Sequence, residues 1–357
     1  MIINNEKGFY IYGAGIFAKV LVQSCLEDGY RPTAILDAYP VEKNIWGVPV
    51  LKFGDSEVDS DLPIIVTILG YQGVIESLKQ AGFLDIVETK DAFQLFPKAI
   101  RYLAKCGFMW MKPDAEVDST AVKKLKTLLA DQRSKDTLTK IINFRLAPSA
   151  ENYLWPEEYE MYFPPNIPRL YEDTSIDYID CGAYDGDSLA GLMQYYKGEI
   201  SSYLGIDLSA KNLQSLKKRL AQNAWQIGEV KLIQAALSSS EGGYLKVFEN
   251  GAASYTIDSA TSKADTVPVV TLDSLVKKVH NPFLKMDIEG ADFDALLGAK
   301  KLIKTYRPNM SLSLYHCPED LWRIPLYIES LVSGKYDFYL RQEGHWGLET
   351  TLYVVRK

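Results

Sequence analysis

Tyr178-Ile179-Asp180-Cys181-Gly182-Ala183-Tyr184-Asp185-Gly186-Asp187-Ser188 is a short apolar strand that runs into a glycine turn crowded with carboxylates. A strand, a glycine turn and a helix in that order point to an open α/β sheet that holds a nucleotide-like ligand at the carboxyl ends of its strands. The charge of the turn narrows the choice of ligand. A dinucleotide would lay its pyrophosphate on the N–H groups of the turn, beside Asp180, Asp185 and Asp187. At ~4 Å and an effective dielectric near 20, each like-charge pair would cost on the order of 4 kcal/mol before screening. S-adenosylmethionine carries an ammonium and a sulfonium beside its one carboxylate, so an acidic turn suits it.

The chain has 357 residues, more than one hydrophobic core usually organises, so two domains are expected. With 47% hydrophobic and 24% charged residues it reads as an ordinary globular chain, and no apolar run approaches the roughly 18 residues of a membrane span. The first residues show neither a basic segment nor an uninterrupted apolar one, so a cytoplasmic protein without a membrane partner is expected. A net charge of -7 gives no broad attraction to nucleic acid. Cys25, Cys106, Cys181 and Cys317 lie far apart with no CxxC pair, which predicts free thiols and no metal site.

Three segments emerge. Residues 1–91 read as a small Rossmann-like α/β domain, with strands at Gly8 to Tyr12, Thr33 to Asp37, Pro63 to Leu69 and Asp85 to Val87. Its first turn, Gly13-Ala14-Gly15-Ile16-Phe17-Ala18, is GxGxxA without acids, and Asp37 ends the next strand, so Gly13, Gly15 and Asp37 are candidate nucleotide-binding residues. Packing or oligomerisation is the alternative use of this domain. Residues 92–171 read as a helical connector, with helical spacing at Val122 to Leu129 and Thr137 to Leu146 and a proline-rich end at Phe163 to Pro168. Its aromatics, Tyr153 to Trp155 and Tyr159 to Phe163, are expected to pack between domains, with an acceptor-pocket wall as the other use.

Residues 172–357 hold seven expected strands: Asp177 to Asp180, Tyr203 to Asp207, Val230 to Ala235, Phe283 to Asp287, Asn309 to Tyr315, Tyr336 to Leu340 and Thr351 to Val355. Helical patterns at Ser209 to Gln222, Leu272 to Val279 and Phe293 to Ile303 imply parallel crossovers, whereas Gln342 to Glu349 is too short for one and implies a hairpin. The result is a mostly parallel sheet with an antiparallel last strand. Tyr244 to Phe248 and Val267 to Val270 are expected as short extra strands beside the site.

Asp207 ends the second strand, where an acid can accept both hydroxyls of an adenosine ribose. Asp180 is expected to meet the methionine ammonium, and Ser188 with the free N–H groups at the helix start to meet its carboxylate. Gly182, Ala183, Tyr184 and Gly186 of the turn, with Leu208 and Ala235 at the ends of the second and third strands, complete the expected cofactor set. In Leu284-Lys285-Met286-Asp287-Ile288-Glu289-Gly290, alternation along a strand would put Lys285, Asp287 and Glu289 on one side. These are candidates for meeting the substrate or a divalent ion, with a structural Lys285 ion pair as the alternative. His316, at the end of the next strand, could take a proton from a hydroxyl at an unperturbed pKa near 6.5, with a satisfied structural histidine as the alternative.

The Asp180 to Ser188 turn, Val267-Pro268-Val269-Val270-Thr271-Leu272-Asp273-Ser274-Leu275, the Phe283 to Ala291 segment, Leu297-Gly298-Ala299 and Tyr306-Arg307-Pro308 together resemble the FkbM family of S-adenosylmethionine-dependent methyltransferases. The resemblance covers roughly residues 160–357. It implies a class I methyltransferase fold and O-methylation of sugar or natural-product hydroxyls. It also assigns Asp180, Gly182, Gly186 and Asp207 to the cofactor, and Asp287 and Glu289 to the acceptor. The family often has Asn at the position of Asp185, Glu at that of Asp207, and a Glu on the strand before His316 that this chain lacks. Separately, Leu36-Asp37-Ala38 with Ile45-Trp46-Gly47-Val48-Pro49-Val50-Leu51 resembles the N-terminal domain of bacterial sugar acyltransferases, which binds nucleotide-sugars. The expected function is O-methylation of a sugar, glycan precursor or related small molecule. The rivals are an NAD-dependent nucleotide-sugar oxidoreductase and a non-catalytic nucleotide-sugar binding protein.

Overall fold

A computed structural model of the chain describes residues 3, 7–68, 72–105, 116–147, 151–171, 175–248, 255–257 and 266–357. Cys106 and Glu172, where the last domain is expected to begin, lie outside the described residues. The chain divides into two compact units, Met1–Ala115 with Lys140–Tyr153, and Glu116–Thr139 with Leu154–Lys357. The segment expected as a connector is thus shared between them.

The N-terminal unit is a six-stranded sheet in the order Asn44–Ile45, Val48–Lys52, Ala34–Asp37, Tyr10–Tyr12, Ile64–Val66, Ile86–Val87. Four of these strands fall where apolar runs place them. The other two form a hairpin turned by Trp46 and Gly47, both at positive φ (53° and 78°). Their runs are too short for a periodicity of their own. Tyr10, Tyr12, Leu36, Ile64 and Phe83 pack one face.

In the C-terminal unit seven strands form one sheet: β1 (Ile176–Cys181), β2 (Ile200–Asp207), β3 (Ile227–Gln234), β4 (Pro282–Met286), β5 (Asn309–Ser313), β6 (Tyr336–Gln342) and β7 (Thr350–Arg356). Their order is β6-β7-β5-β4-β1-β2-β3, and only β7 runs antiparallel to its neighbours. Helices α1 (Asp187–Tyr195), α2 (Ala210–Gln222), α3 (Leu272–Leu275), α4 (Asp292–Leu297), α5 (Lys300–Tyr306) and α6 (Asp320–Leu331) connect or cover them. The central strands β1, β4 and β5 are buried along their whole length, as the apolar runs require. Tyr178 stacks on Tyr203 and Tyr171 on Phe283, while Leu189, Leu192, Leu213 and Leu216 bring α1 and α2 onto the sheet.

Two expected helices come out shorter. The one expected at Phe293 to Ile303 is split into α4 and α5 at Gly298, because a Cβ there would lie 2.1 Å from the Ser238 carbonyl oxygen. That close approach of two backbones overrides the helical pattern. The helix expected at Leu272 to Val279 stops at Leu275. The extra strands belong to a small sheet of four: Ala236–Leu237, Thr266–Val270, Tyr244–Phe248 and Tyr255–Ile257. Among the described residues, no helix is long and apolar enough to cross a membrane.

Candidate active site

The site is built where β1 enters α1. Gly182 (φ 80°) sits under the end of β4: a Cβ there would fall 1.9 Å from the Asp287 carbonyl oxygen. The turn is pinned to β2, since the Gly182 and Ala183 N–H groups donate to the Ile206 carbonyl at 2.9 and 3.0 Å. Asp207 fastens the same corner. Its Oδ2 accepts from the Tyr184 N–H at 2.9 Å, and its Oδ1 from the Ser209 N–H at 2.8 Å and Asn212 Nδ2 at 3.1 Å.

These elements enclose a cavity of about 530 Å³ at the carboxyl ends of the strands. Gly182, Asp207, Leu208 and Ala235 of the expected cofactor set line it, with Asp287 and Glu289 of the reacting set. Asn212, Leu237, Ser238, Leu245, Ile288 and Asp294 also line it and carried no signal in the sequence. Among the described residues its charged lining is Asp207, Asp287, Glu289 and Asp294, without a Lys, Arg or His. An acidic cavity fits the cationic S-adenosylmethionine.

The source of that acidity corrects the expectation. Asp180 does not line the cavity. It is fully buried, accepting from Ser188 Oγ at 2.7 Å and the Tyr203 hydroxyl at 3.1 Å, with Lys285 Nζ at 3.3 Å. Asp185 is paired with Arg219 at 2.5 Å. Ser188 is committed to Asp180, and Asp187 Oδ1 accepts the Ser188 N–H at 2.8 Å. Two of the three turn acids are therefore neutralised by cations from α2 and β4, and the carboxylates that line the cavity are instead Asp207 and those of the segment after β4 with Asp294.

Lys285 is likewise not at the cavity. Parallel pairing of β1 with β4 sets it beside Asp180, where it also donates to the Gly182 carbonyl at 2.8 Å. Burial favours the neutral amine, but Asp180, Asp287 and Asp187 outweigh it and hold Lys285 charged. The expected strand alternation fails after Met286, where β4 ends, and Glu289 takes a left-handed conformation at φ 55°.

Asp287 lies at the centre of a cluster of polar side chains. Its Oδ2 accepts from the Tyr162 hydroxyl at 2.8 Å and its Oδ1 from the Tyr315 hydroxyl at 3.3 Å. His316 Nε2 stands 3.4 Å from Asp287 Oδ1 and 3.6 Å from Glu289 Oε2, and Nδ1 lies 3.0 Å from Asp292 Oδ2. Burial raises the Asp287 carboxyl, but Lys285, His316 and Tyr162 together hold it below the usual range. Tyr162, from the aromatic segment Tyr159 to Phe163, belongs to this cluster, as do Tyr315 and Asp292, which no motif announced.

The reading of His316 as a base at an unperturbed pKa is corrected. Burial pushes its pKa down, yet the Asp292 hydrogen bond and the charges of Asp292, Asp287 and Glu289 raise it to about 9. At neutral pH the ring is an imidazolium with no lone pair to accept a proton. Because the folded pKa lies above the unfolded value, its stabilising contribution is complete below about pH 6.5 and lost as pH rises through about 9. Titration of His316 followed by nuclear magnetic resonance should give a midpoint near 9, and a midpoint near that of free imidazole would contradict the cluster as described.

The N-terminal candidates form a separate constellation. Gly13 is left-handed at φ 96°, Gly15 precedes the helix Ile16–Glu27, and Asp37 Oδ2 accepts from the Ala14 N–H at 2.8 Å. The carboxylate thus occupies one of the amides that a phosphate would use.

The strand order, with β7 antiparallel, and the cavity at the carboxyl ends of the strands are those of the class I methyltransferase fold. Residues 180–338 match the family model of the methyltransferase FkbM domain. The methyltransferase FkbM from Methylobacillus flagellatus KT has a similar fold, with a TM-score of 0.63 at 23% identity over 98% of this chain and 90% of that one. The methyltransferase domain of bacterial CtHen1 matches at a TM-score of 0.32 and 15% identity, over 51% of this chain and 90% of that one. A search of curated protein sequences returns no match.

Proposed function

We propose that the C-terminal unit transfers the methyl group of S-adenosylmethionine to a hydroxyl of a sugar, glycan precursor or related small molecule. The observation that carries this reading is the cavity of about 530 Å³ whose charged lining, among the described residues, is carboxylate alone. Such a site favours a sulfonium and an ammonium and disfavours the pyrophosphate of NAD. Gly182, Ala183, Tyr184 and Gly186 would shape the cradle, and Asp207 would take the ribose hydroxyls, flanked by Leu208 and Ala235. Asp180 and Ser188 would support the turn from behind. When bound, S-adenosylmethionine supplies a methyl group on a good leaving sulfur, so alignment accounts for much of the rate.

Asp287 and Glu289 would face the acceptor. Asp287, kept ionised by Lys285, His316 and Tyr162, is the group suited to accept the hydroxyl proton. His316 and Lys285 would then serve as the positive charges that hold it in that state.

Titration calorimetry with S-adenosylhomocysteine and NAD separates this reading from an oxidoreductase. The homocysteine ligand should bind and NAD should not, and Asp207→Ala should weaken binding about tenfold to a hundredfold. NAD binding without S-adenosylhomocysteine binding would reverse the assignment. Mass gain by one methyl group in a panel of nucleotide-sugars and methyl glycosides then identifies the acceptor.

A further inference from the structure

The turn that follows β4 is held from its far side by one carboxylate. Asp292, the first residue of α4, is only 1% exposed; its Oδ1 accepts from the Ile288 N–H at 3.2 Å and its Oδ2 from the Gly290 N–H at 3.1 Å. Those two amides flank Glu289, whose left-handed backbone (φ 55°) is followed by Gly290 at φ 97°. A non-glycine residue keeps that conformation only where its surroundings over-determine it. The same Asp292 Oδ2 lies 3.0 Å from His316 Nδ1. Across the ring, Nε2 stands 3.4 Å from Asp287 Oδ1 and 3.6 Å from Glu289 Oε2, and it makes no hydrogen bond among the described residues. Glu289 is thus fixed at both ends, its backbone by Asp292 directly and its carboxylate by a ring that Asp292 orients.

We propose that Asp292 is a positioning residue for methyl transfer, setting Asp287 and Glu289 in the cavity wall through the turn amides and through His316. The proposal rests on the methyltransferase reading above, in which those two carboxylates face the acceptor. Asp292 does not line the cavity, so it acts only through these neighbours. A carboxylate on Nδ1 fixes the orientation of the ring and favours its charged form. The Nε2–H then points toward two carboxylates that would otherwise repel each other.

The titratable groups that face the ring are Asp287 and Glu289 from the turn after β4, Asp292 from α4, and Tyr315, whose ring centre lies 4.1 Å away. His316 loses its charge as pH rises through about 9, and the restraint on the two carboxylates is lost with it. Turnover should therefore fall over that range.

In Asp292→Asn the turn amides keep one acceptor, while the ring meets an amide that carries no charge. With methyl glycosides as acceptors, kcat/KM should drop about tenfold to a hundredfold. The alkaline fall in turnover should move down by about one pH unit or more, together with the His316 midpoint measured by nuclear magnetic resonance. S-adenosylhomocysteine binding should stay within about threefold of the parent. A merely structural Asp292 would lower stability and leave the pH profile in place. Parent-like kcat/KM, an alkaline fall that stays near 9 while the His316 midpoint drops, or a loss of S-adenosylhomocysteine binding as large as the loss of turnover overturns the proposal. If Asp292→Asn does not fold, Asp292→Ser, whose hydroxyl can still accept from a turn amide, replaces it with the same expectations; failure of both to fold assigns Asp292 to stability alone and overturns the proposal. A parent chain that binds no S-adenosylhomocysteine, or methylates none of the glycosides, overturns the function proposed above and this proposal together, whereas an active parent beside an equally active variant overturns this proposal alone.

Discussion

Gly182→Ala should cost about 3 kcal/mol or more of stability and remove measurable binding of S-adenosylhomocysteine. The position is left-handed at φ 80°, and an added methyl group would meet the Asp287 carbonyl oxygen at 1.9 Å and the Ile288 side chain at 3.3 Å. Backbone cannot swing aside as a flexible side chain can. Relief requires the end of β4 to move away from β1, which displaces Asp287 and Glu289 and breaks the pairing of the Asp287 N–H with the Cys181 carbonyl at 3.0 Å. Urea denaturation and calorimetry on the same preparation check both halves of the expectation. A variant with parent-like stability and binding would show that the turn and β4 are not in the contact described.

Lys285→Met should destabilise the chain by about 3 to 5 kcal/mol, because it strands the Asp180 carboxylate in the core without its cation. The pair stands at 3.3 Å with both side chains almost wholly buried. Burial raises the Asp180 carboxyl, and Lys285 and Ser188 pull the other way, so removing Lys285 raises it further. The deficit should therefore be largest above the carboxyl's folded pKa and shrink on acidification, as Asp180 takes a proton and ceases to be a buried charge. Asp180→Asn combined with Lys285→Met should be more stable than Lys285→Met alone. A deficit independent of pH, or a double variant no better than the single one, would mean that packing rather than charge accounts for the loss.

Much of the C-terminal fold was legible in the chain because its signals are local. An apolar run, a glycine turn and a helical pattern within a few tens of residues locate β1, α1, β2 and α2, and the short Gln342 to Glu349 segment correctly foretells the hairpin that makes β7 antiparallel. The N-terminal hairpin and the break at Gly298 were not legible. The first is too short to show a period, and the second depends on a carbonyl 60 residues earlier in the chain, that of Ser238.

The site divides along the same line. Local order was enough to mark the Gly182 turn, Asp207 at the end of its strand, and Asp287 and Glu289 after theirs, since each depends on a residue's place beside a strand end. Which acids stay charged toward the cavity was settled by partners distant in sequence: Arg219 for Asp185, Lys285 for Asp180, and Asp292, Asp287 and Glu289 together for His316. Tyr162 reaches Asp287 across 125 residues and Tyr315 across 28, so no motif joins them. Residue type and spacing set the elements and the turn. Charge state, burial and neighbours come from Coulomb and desolvation energies that depend on distance in space, and only the folded chain fixes those distances.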